Sequence, residues 1–521
     1  MACEKVLICG AGPVGLTAAL ELARHGIRPR IIEVNDGPTE LSKALVVWRR
    51  TLKVLDTEIP FERFLEHHGP MKSARLVSAL KDLRTIDLTE DQISGGDFPT
   101  GVLIPQSDTE RLLIEALQVH GIEVERGRRL SRFTASDTGV ACTIQAGDSI
   151  EQFEADWLIG CDGGHSMTRH GLGLSFPGMT RDQDWLVSDV EIVSRADSSQ
   201  VRIEFNRNGV VAIFPIGHGR WRIMAELVGD HGVQEAPTAA DVQRILDQRT
   251  RTGWKVGEPH WLSRFRVNER QVDSYRHGRV FLAGDSAHVH SPAGGQGMNT
   301  GMQDAQNLGW KLALHLKGGA GDSVLDTYQE ERHPVGHAVV RGSALLLKSA
   351  TLSNPAACFL RNTLIRLVMS TRIGRRQFRR RLSEESIQYG SHSLADGSAL
   401  GRVRSGGTLP DGVIELKGEE ASVYRLLRQS EATIIVVGDA PKEELPTNFG
   451  AGKSGFPIRV RRLGPGGDAE DRVGRLSALL GGEGSLILVR PDAVIATVSR
   501  SAVDLQSWID ARFGQDRGIN S

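Results

Sequence analysis

The hydrophobic pattern of the first forty residues changes period twice. Residues 5–10 (KVLICG) are a short apolar run of β-forming side chains, which is typical of a buried parallel strand. Residues 15–26 (GLTAALELARHG) repeat with a helical period and end on Gly26, where a helix commonly terminates. Residues 28–34 (RPRIIEV) return to a strand pattern. The pattern therefore predicts a βαβ unit in this part of the chain.

The two patterns continue along the chain but are distributed unevenly. Further helices are predicted at 49–59 and 107–121, and further strands at 122–127, 140–146 and 157–163. Residues 185–230 alternate in a way that favours an antiparallel sheet, separate from the parallel one. Residues 396–412 are glycine-rich and resemble a linker, and strands between helices follow them.

Composition narrows the class of protein. The chain has 521 residues, 24% charged residues and a formal net charge of −1, so nothing in the balance suggests nucleic acid or an anionic membrane. The basic run at 372–382 is interpreted as a solvated helix face. Five cysteines without a CxxC pair favour neither a disulfide framework nor a metal site, and they suggest the cytoplasm. We expect no signal peptide and no membrane span.

The sequence GAGPVG (residues 10–15) follows the first predicted strand and opens the first helix. Gly10 permits a tight turn, Gly12 lets a pyrophosphate approach the backbone, and Gly15 lets strand and helix pack closely. The helix N-terminus supplies N–H groups and a positive dipole to the phosphate. Glu33 ends the next strand, where an acid binds ribose hydroxyls. These features predict dinucleotide binding.

A second glycine-rich stretch, residues 284–304 (GDSAHVHSPAGGQGMNTGMQD), separates a predicted strand from a predicted helix. Asp285 ends the strand, where a carboxylate can accept hydrogen bonds from a polyol chain. The glycines that precede the helix are Gly294, Gly295 and Gly297. They would let a flavin ring lie on backbone, beside a helix dipole that stabilises negative charge on the reduced ring. The Asp162–Gly163 pair, by contrast, fits an ordinary β-turn equally well.

In this order and spacing, the three motifs resemble the FAD-dependent aromatic hydroxylases of the p-hydroxybenzoate hydroxylase fold. The resemblance covers residues 4–345, and the tail is similar to the thioredoxin-like domain of phenol and polyketide hydroxylases, without redox cysteines. It implies an α/β fold, in which a Rossmann-like FAD-binding domain carries an inserted, mixed or antiparallel substrate sheet. The implied domains are FAD-binding (1–75, 100–175 and 271–345), substrate-binding (76–99 and 176–270), connecting helices (346–398) and thioredoxin-like (399–521).

The resemblance also assigns roles residue by residue. FAD contacts are implied for Gly10, Gly12, Pro13, Val14, Gly15, Glu33, Lys43, Gln106, Asp162, Gly163, Asp285, Pro292, Gly295, Gly297, Met298 and Asn299. Lys43 stands where the family usually has arginine, so the charge is kept and the bidentate fork is lost. Arg50 matches an arginine of the following helix. Lys43, His290 and Pro292 are the candidates for catalytic roles.

The mechanism that the resemblance implies uses FAD, NAD(P)H and oxygen. NAD(P)H reduces the flavin, oxygen adds at C4a as a hydroperoxide, and an electron-rich aromatic ring takes the distal oxygen. The chain has one dinucleotide fingerprint, so NAD(P)H would dock transiently while the flavin moves to meet it. Expected partners are a small aromatic substrate and oxygen, without nucleic acid, metal or membrane. The tail implies packing or dimerisation, which leaves a homodimer open.

The general base and the substrate pocket stay undefined by the sequence. No tyrosine lies in residues 176–260, so a histidine or water is the expected base. The histidines considered are His67, His68, His218 and His290, each also open to a structural role, while His288 is interpreted as structural. The residues that either wall a hydrophobic pocket or belong to a plain sheet core are Ile213, Phe214, Pro215 and Trp221.

Two other functions remain open on the same fold. A Baeyer–Villiger oxygenase would differ only in pocket detail, and a non-catalytic protein would hold FAD as a structural ligand. A flavin-dependent halogenase is disfavoured because the tryptophans lack the WxWxIP spacing. The substrate, the position of oxygenation, the choice of NADH or NADPH and the oligomeric state are not determined by the sequence.

Overall fold

The computed structural model describes residues 5–38, 44–66, 68, 71–89, 98–193, 200–217, 219–228, 237–390, 393–427, 431–439, 444–450 and 455–513. The strands are β1 Val6–Cys9, β2 Arg30–Ile32, β3 Val46–Trp48, β4 Ser73–Ser78, β5 Lys81–Asp87, β6 Gly101–Leu103, β7 Val124–Glu125, β8 Arg128–Ala135, β9 Val140–Ala146, β10 Ser149–Ala155, β11 Trp157–Gly160, β12 Gly178–Ile192, β13 Gln200–Phe205, β14 Val211–Gly217, β15 Arg220–Leu227, β16 Val256–Gln271, β17 Arg276–His277, β18 Val280–Leu282, β19 His288–Val289, β20 Ala399–Leu400, β21 Val403–Arg404, β22 Val413–Leu416, β23 Glu419–Ser422, β24 Ala432–Val437, β25 Asn448–Phe449, β26 Phe456–Leu463, β27 Leu486–Val489 and β28 Ile495–Ser499.

The helices are α1 Pro13–Arg24, α2 Arg49–Leu55, α3 Phe61–Leu65, α4 Gln106–Val119, α5 Met167–Gly171, α6 Ala239–Arg249, α7 Gly297–Leu316, α8 Ser323–Ala350, α9 Pro355–Ser370, α10 Arg372–Leu382, α11 Arg475–Leu479 and α12 Ala502–Phe513.

A largely parallel sheet with the order β17-β18-β11-β1-β2-β7 forms the centre of the N-terminal half. Strand β1 is parallel to β2 and β11, which confirms the predicted βαβ unit. Val6 and Ile8 face the cluster that includes α1 and α7, whereas Leu7 and Cys9 face the β8–β10 sheet. Because both faces are covered, every residue of β1 is buried and the strand shows no polar alternation.

A second sheet has the order β19-β16-β12-β15-β14-β13-β4-β5. Among the described residues, β13 and β4 pair in parallel and the other neighbouring strands pair antiparallel. One face packs on α6, and the other packs towards β3, β6 and the ends of α8 and α9. We call these the outer and inner faces. Strand β4 starts at Ser73, just before the domain boundary predicted at residue 76, and β19 joins from the FAD-binding segment.

The C-terminal region has a third sheet, in the order β25-β26-β24-β27-β28. Its central strand β24 is parallel to β26 and antiparallel to β27, which gives a thioredoxin-like arrangement. Residues 396–412, expected to be a linker, are packed rather than loose. Ser405 donates its hydroxyl to the carbonyl of Ala496, and the Gly406 N–H donates to Ile495. The α/β class with a parallel sheet, a separate sheet domain and a C-terminal sheet is confirmed.

Candidate functional site

The turn between β1 and α1 has the geometry that the GAGPVG motif predicts. Gly10 has a φ of +98°, and a Cβ added there would lie 2.4 Å from the carbonyl oxygen of Cys161. A Cβ at Gly15 would lie 1.9 Å from the Gly10 oxygen, whereas no described atom lies within 4 Å of a Cβ at Gly12. Close packing therefore requires two of the glycines, and Gly12 borders open space.

The start of α1 is suited to an anion. The helix begins at Pro13, and no side chain among the described residues caps it at Gly12, so its first N–H groups are available. Glu33 follows β2 and accepts a hydrogen bond from the Ala11 N–H at 2.8 Å. Its other carboxylate oxygen accepts from Asn35 Nδ2 at 2.6 Å. The acid predicted to bind ribose thus lies directly beside the turn.

Val14 joins this turn to the second glycine-rich segment. A Cβ added at Gly284 or Gly301 would lie 2.7 Å from Val14 Cγ2. Asp304 of α7 accepts a hydrogen bond from the Gly284 N–H at 3.2 Å. Asp285 follows in a short 3₁₀ turn and is exposed, although the residues on both sides of it are buried. An exposed carboxylate therefore lies where the two motifs meet.

The loop before α7 presents mainly backbone. Gly294 and Gly295 have φ values of +98° and +62°, and the Gly295 N–H donates to the carbonyl of Pro292, which is itself exposed. Trp48 Nε1 donates to the Gly294 carbonyl at 3.2 Å and to the Gly295 carbonyl at 3.0 Å. Helix α7 then begins at Gly297, close to the predicted start.

Asn299 and Met298, both predicted to contact FAD, are buried in the first turn of α7. Asn299 Oδ1 accepts from the Trp48 N–H at 2.8 Å, and its Nδ2 donates to the Val46 carbonyl at 2.8 Å. The Asn299 side chain therefore fixes β3 against α7. It also positions residues 292–297, which we call the glycine loop.

One ring nitrogen of His290 is hydrogen-bonded, and the other has no hydrogen-bond partner among the described residues. Nδ1 lies 2.7 Å from the Ser291 carbonyl, so in the neutral ring Nδ1 bears the proton and Nε2 is an acceptor. Nε2 is buried without a hydrogen-bond partner among the described residues. Burial and the neighbouring His288 lower the pKa of His290 to about 4. The imidazole is therefore neutral at pH 7.

A buried ionic cluster that the motifs did not reveal supports this region. His288 Nε2 donates to Asp304 at 2.8 Å, and Arg332 Nε donates to the other oxygen at 2.7 Å. Burial opposes ionisation of Asp304, but Arg332 and His288 hold its pKa below the usual range. Arg332 also donates to the Thr300 carbonyl at 3.0 Å. These contacts support the structural role that the sequence analysis assigns to His288.

The carboxylate of Asp162 is largely used inside its own turn. It accepts hydrogen bonds from the Ser166 hydroxyl and from the Thr168 N–H and hydroxyl. Gly163 follows with a φ of +77°. The β-turn alternative accounts for these contacts, and binding to FAD or NAD(P)H through Asp162 stays a prediction.

Gln106 starts α4 and accepts a hydrogen bond from the N–H of Ala44, the residue after Lys43 in the chain, at 3.2 Å. Lys43 itself lies outside the described residues. Arg50 is buried and donates to the Glu384 carbonyl at 3.4 Å.

Of the four histidines proposed as a base, the structure describes His68 and His290. His67 and His218 also lie outside the described residues. His68 is buried and lies 3.0 Å from Asp108, with no assigned site residue in that pair. Of these two, His290 lies at the loop before α7, where its Nε2 is 3.4 Å from the position of a Cβ added at Gly297.

The predicted substrate residues lie on both faces of the second sheet. Ile213 and Trp221 belong to the cluster under α6 on the outer face. Pro215 is buried opposite Trp221 in the strand register. Phe214 lies on the inner face, in the cluster that contains Trp48. A role in walling a site beside the glycine loop is therefore open to Phe214 but does not fit Ile213 and Trp221.

An apolar cluster of the inner face adjoins the glycine loop. It contains Trp185 and Val267 of the sheet and Leu347 of α8, with Phe265 and Ala293 packed against it. Trp185 Nε1 is buried without an acceptor among the described residues. Sequence reasoning missed Trp185 because no motif surrounds it.

Taken together, these residues fit FAD. The uncapped start of α1 and the open space at Gly12 suit the pyrophosphate, and Glu33 suits the ribose. The exposed Asp285 suits the ribityl chain, and the exposed backbone of residues 292–297 suits the isoalloxazine ring.

Comparisons with known proteins agree with this arrangement. The model of the FAD binding domain family matches residues 4–343. Rifampicin monooxygenase from Streptomyces venezuelae is 31% identical over 86% of this chain and 99% of its own length. The 6-methylpretetramide 4-monooxygenase from Streptomyces rimosus is 30% identical over 94% of this chain and 90% of its own. The solved structure of the OxyS anhydrotetracycline hydroxylase from Streptomyces rimosus has a TM-score of 0.79 and 26% identity, and it covers 98% of this chain and 99% of its own.

Proposed function

Because the chain belongs to the FAD-dependent aromatic hydroxylases of the FAD binding domain family, we propose that it hydroxylates a large, apolar aromatic molecule with NAD(P)H and oxygen. The observation that carries this proposal is the inner-face cluster around Trp185, which adjoins Ala293 of the glycine loop. Apolar and aromatic walls beside the flavin suit a polycyclic substrate. The relatives named for rifampicin and anhydrotetracycline support the same substrate class.

When bound, FAD supplies the redox and oxygen-transfer chemistry. The N-terminus of α1 binds its phosphates, and the N-terminus of α7 stabilises negative charge on the ring. His290 is neutral and offers Nε2 as an acceptor beside the start of α7. The apolar inner face excludes water from the reacting atoms. Trp185 offers one buried N–H to an oxygen of the substrate.

The test is oxidation of NADH and NADPH by the purified yellow protein, with phenols, naphthols, quinolones and polycyclic polyketides as candidate substrates. We expect a polycyclic substrate to accelerate oxidation and to gain one oxygen at a ring carbon. Trp185→Phe should raise the KM for that substrate roughly 2- to 12-fold through loss of one hydrogen bond of about 0.5–1.5 kcal/mol. Ile213→Val on the outer face is the control and should leave the KM unchanged.

The other outcomes separate the alternatives. Oxygen inserted between a ring carbon and a carbonyl would establish a Baeyer–Villiger reaction, and peroxide release without product for every compound would favour a non-catalytic FAD protein. We propose further that the protein acts in the cytoplasm. The same preparation serves to measure whether it forms a homodimer and whether it uses NADH or NADPH. No helix among the described residues is long and apolar enough to cross a membrane.

A further inference from the structure

Helix α9 and the start of α10 present an apolar surface to solvent. Six large side chains are 44–76% exposed: Phe359, Leu360, Leu364, Leu367, Val368 and Ile373. We call these residues the α9–α10 surface. They expose several hundred Å² of apolar area, on the order of the largest patch of an ordinary monomer, about 300–600 Å², which is often functional.

Helix α9 buries apolar side chains on its inward side, where Ile365 and Met369 pack with the cluster that contains Trp48. The inward side also carries Arg361 and Asn362. Arg361 donates to the Ser349 and Ala350 carbonyls at the end of α8, at 3.1 and 3.2 Å. Asn362 Nδ2 donates to the Ser78 hydroxyl at 2.9 Å. These contacts fix the orientation of α9 and leave its remaining apolar side chains facing out.

The charges that α9 and α10 themselves carry have one sign. Residues 332–383 contain no aspartate or glutamate, although the chain as a whole has a net charge of −1. Arg366, Arg372, Arg376 and Arg381 are exposed. The neighbouring strand β5 carries Asp82, which pairs with Arg75. An apolar helix face bordered mainly by cations suits the interface of an anionic bilayer, where acyl chains bind the apolar side and headgroups bind the cations.

We propose that the α9–α10 surface docks on an anionic lipid membrane, with α9 lying in the plane of the interface. A second copy of the chain suits this surface less well, because a two-fold axis through it would bring the same cations together. The expectation of no membrane partner rests on the net charge of the whole chain. That net charge does not reveal the local excess of positive charge on α9 and α10.

The test is co-sedimentation of the full, FAD-loaded chain with vesicles. One set is phosphatidylcholine alone, and the other contains phosphatidylglycerol as a quarter of the lipid. We expect binding to the anionic vesicles only, weakened by high salt. The double variant Arg372→Glu and Arg376→Glu should weaken binding at least about tenfold. Leu364→Ser with Leu367→Ser should weaken it by a similar factor.

Matched controls lie elsewhere on the surface. Arg129→Glu with Arg132→Glu, and Ile150→Ser, change exposed residues of the same types and should leave vesicle binding intact. Retained FAD absorbance shows that each variant is folded. Equal binding to both vesicle types, absence of binding, or binding unchanged in both double variants would overturn the proposal. The proposal would also be overturned if the wild-type protein did not bind vesicles and instead formed a dimer that dissociates in the double variant Leu364→Ser and Leu367→Ser.

Discussion

The carboxylates of the candidate flavin site differ in how exposed they are. Glu33 and Asp162 accept hydrogen bonds from neighbouring backbone N–H groups. Asp285, in contrast, is exposed between buried neighbours. A ligand that covers Asp285 would remove this carboxylate from water, and hydrogen bonds from the ligand would offset that cost.

We therefore predict that Asp285→Ala weakens FAD binding without unfolding the protein. Loss of a hydrogen-bond acceptor in the covered site costs about 1–3 kcal/mol, or roughly 5- to 150-fold in Kd. Titration of the apoprotein with FAD measures this. Asp148→Ala, at another exposed aspartate, is the control, and an unchanged Kd for Asp285→Ala would remove Asp285 from the site.

The Trp48 side chain acts on the site through its single N–H group. Trp48→Phe keeps an aromatic ring but removes the donor to the Gly294 and Gly295 carbonyls. We expect a roughly 2- to 12-fold weaker Kd for FAD, from about 0.5–1.5 kcal/mol of lost hydrogen bonding. Trp221→Phe on the outer face should not change this Kd. If the two variants bind FAD alike, the loop does not depend on Trp48.

At the scale of elements, the first turns of α7 rest on a buried acid. Thr300 and Gln303 each donate to Glu384 at 2.6 Å. Burial raises the pKa of Glu384 to about 7, despite these hydrogen bonds. The pKa of the neighbouring Glu385 is shifted in the opposite direction. Burial opposes its ionisation, but Lys53 and Arg49 lower its pKa to about 2.

The two acids should therefore give opposite pH dependences of stability. A raised folded pKa stabilises the protein below the ordinary carboxyl pKa, and this contribution is lost as the pH rises through about 7. For the wild-type protein, the loss in the free energy of unfolding is on the order of 3 kcal/mol between pH 5 and 8. Glu384→Gln should remove this pH dependence. Glu385→Gln should instead destabilise the protein throughout this range. Urea unfolding at several pH values measures both, and parallel wild-type and Glu384→Gln profiles would contradict the assignment.

At the scale of the molecule, a buried charge network joins the C-terminal sheet to α7 and α8. Arg490 makes two hydrogen bonds to Glu331, at 2.6 and 2.8 Å, and Lys311 makes a third, at 2.8 Å. Arg490 also pairs with Asp492. All the side chains involved are essentially buried, so the two parts of the chain share one ionic centre.

Arg490→Ala should therefore destabilise both parts together. It leaves buried carboxylates short of a cation, at a cost of about 3–5 kcal/mol. Urea unfolding followed by flavin fluorescence and by far-UV circular dichroism should show both transitions shifted to lower denaturant. Arg500→Ala, at an exposed arginine, should shift neither by more than about 1 kcal/mol. A shift confined to one signal would show that the network does not couple the domains.

The sequence by itself determined the βαβ unit, the helix start near residue 297 and the glycine turns that flank the site. These features follow from short-range requirements: a positive φ at Gly10 and Gly294, close backbone approach at Gly15, and the period of apolar residues. It also identified the FAD-dependent family, since its motifs are local in the chain.

Tertiary structure alone decided which side chains meet. Asn299 binds the backbone of Trp48 across 251 residues, and no local pattern encodes such a pair. Ile213 and Phe214 are equally apolar in sequence, but adjacent strand residues face opposite sides of a sheet, and pairing decides which side meets the flavin site. The outward apolar side of α9 likewise depends on the inward contacts of Arg361 and Asn362. Long-range contacts of this kind form only when the elements pack.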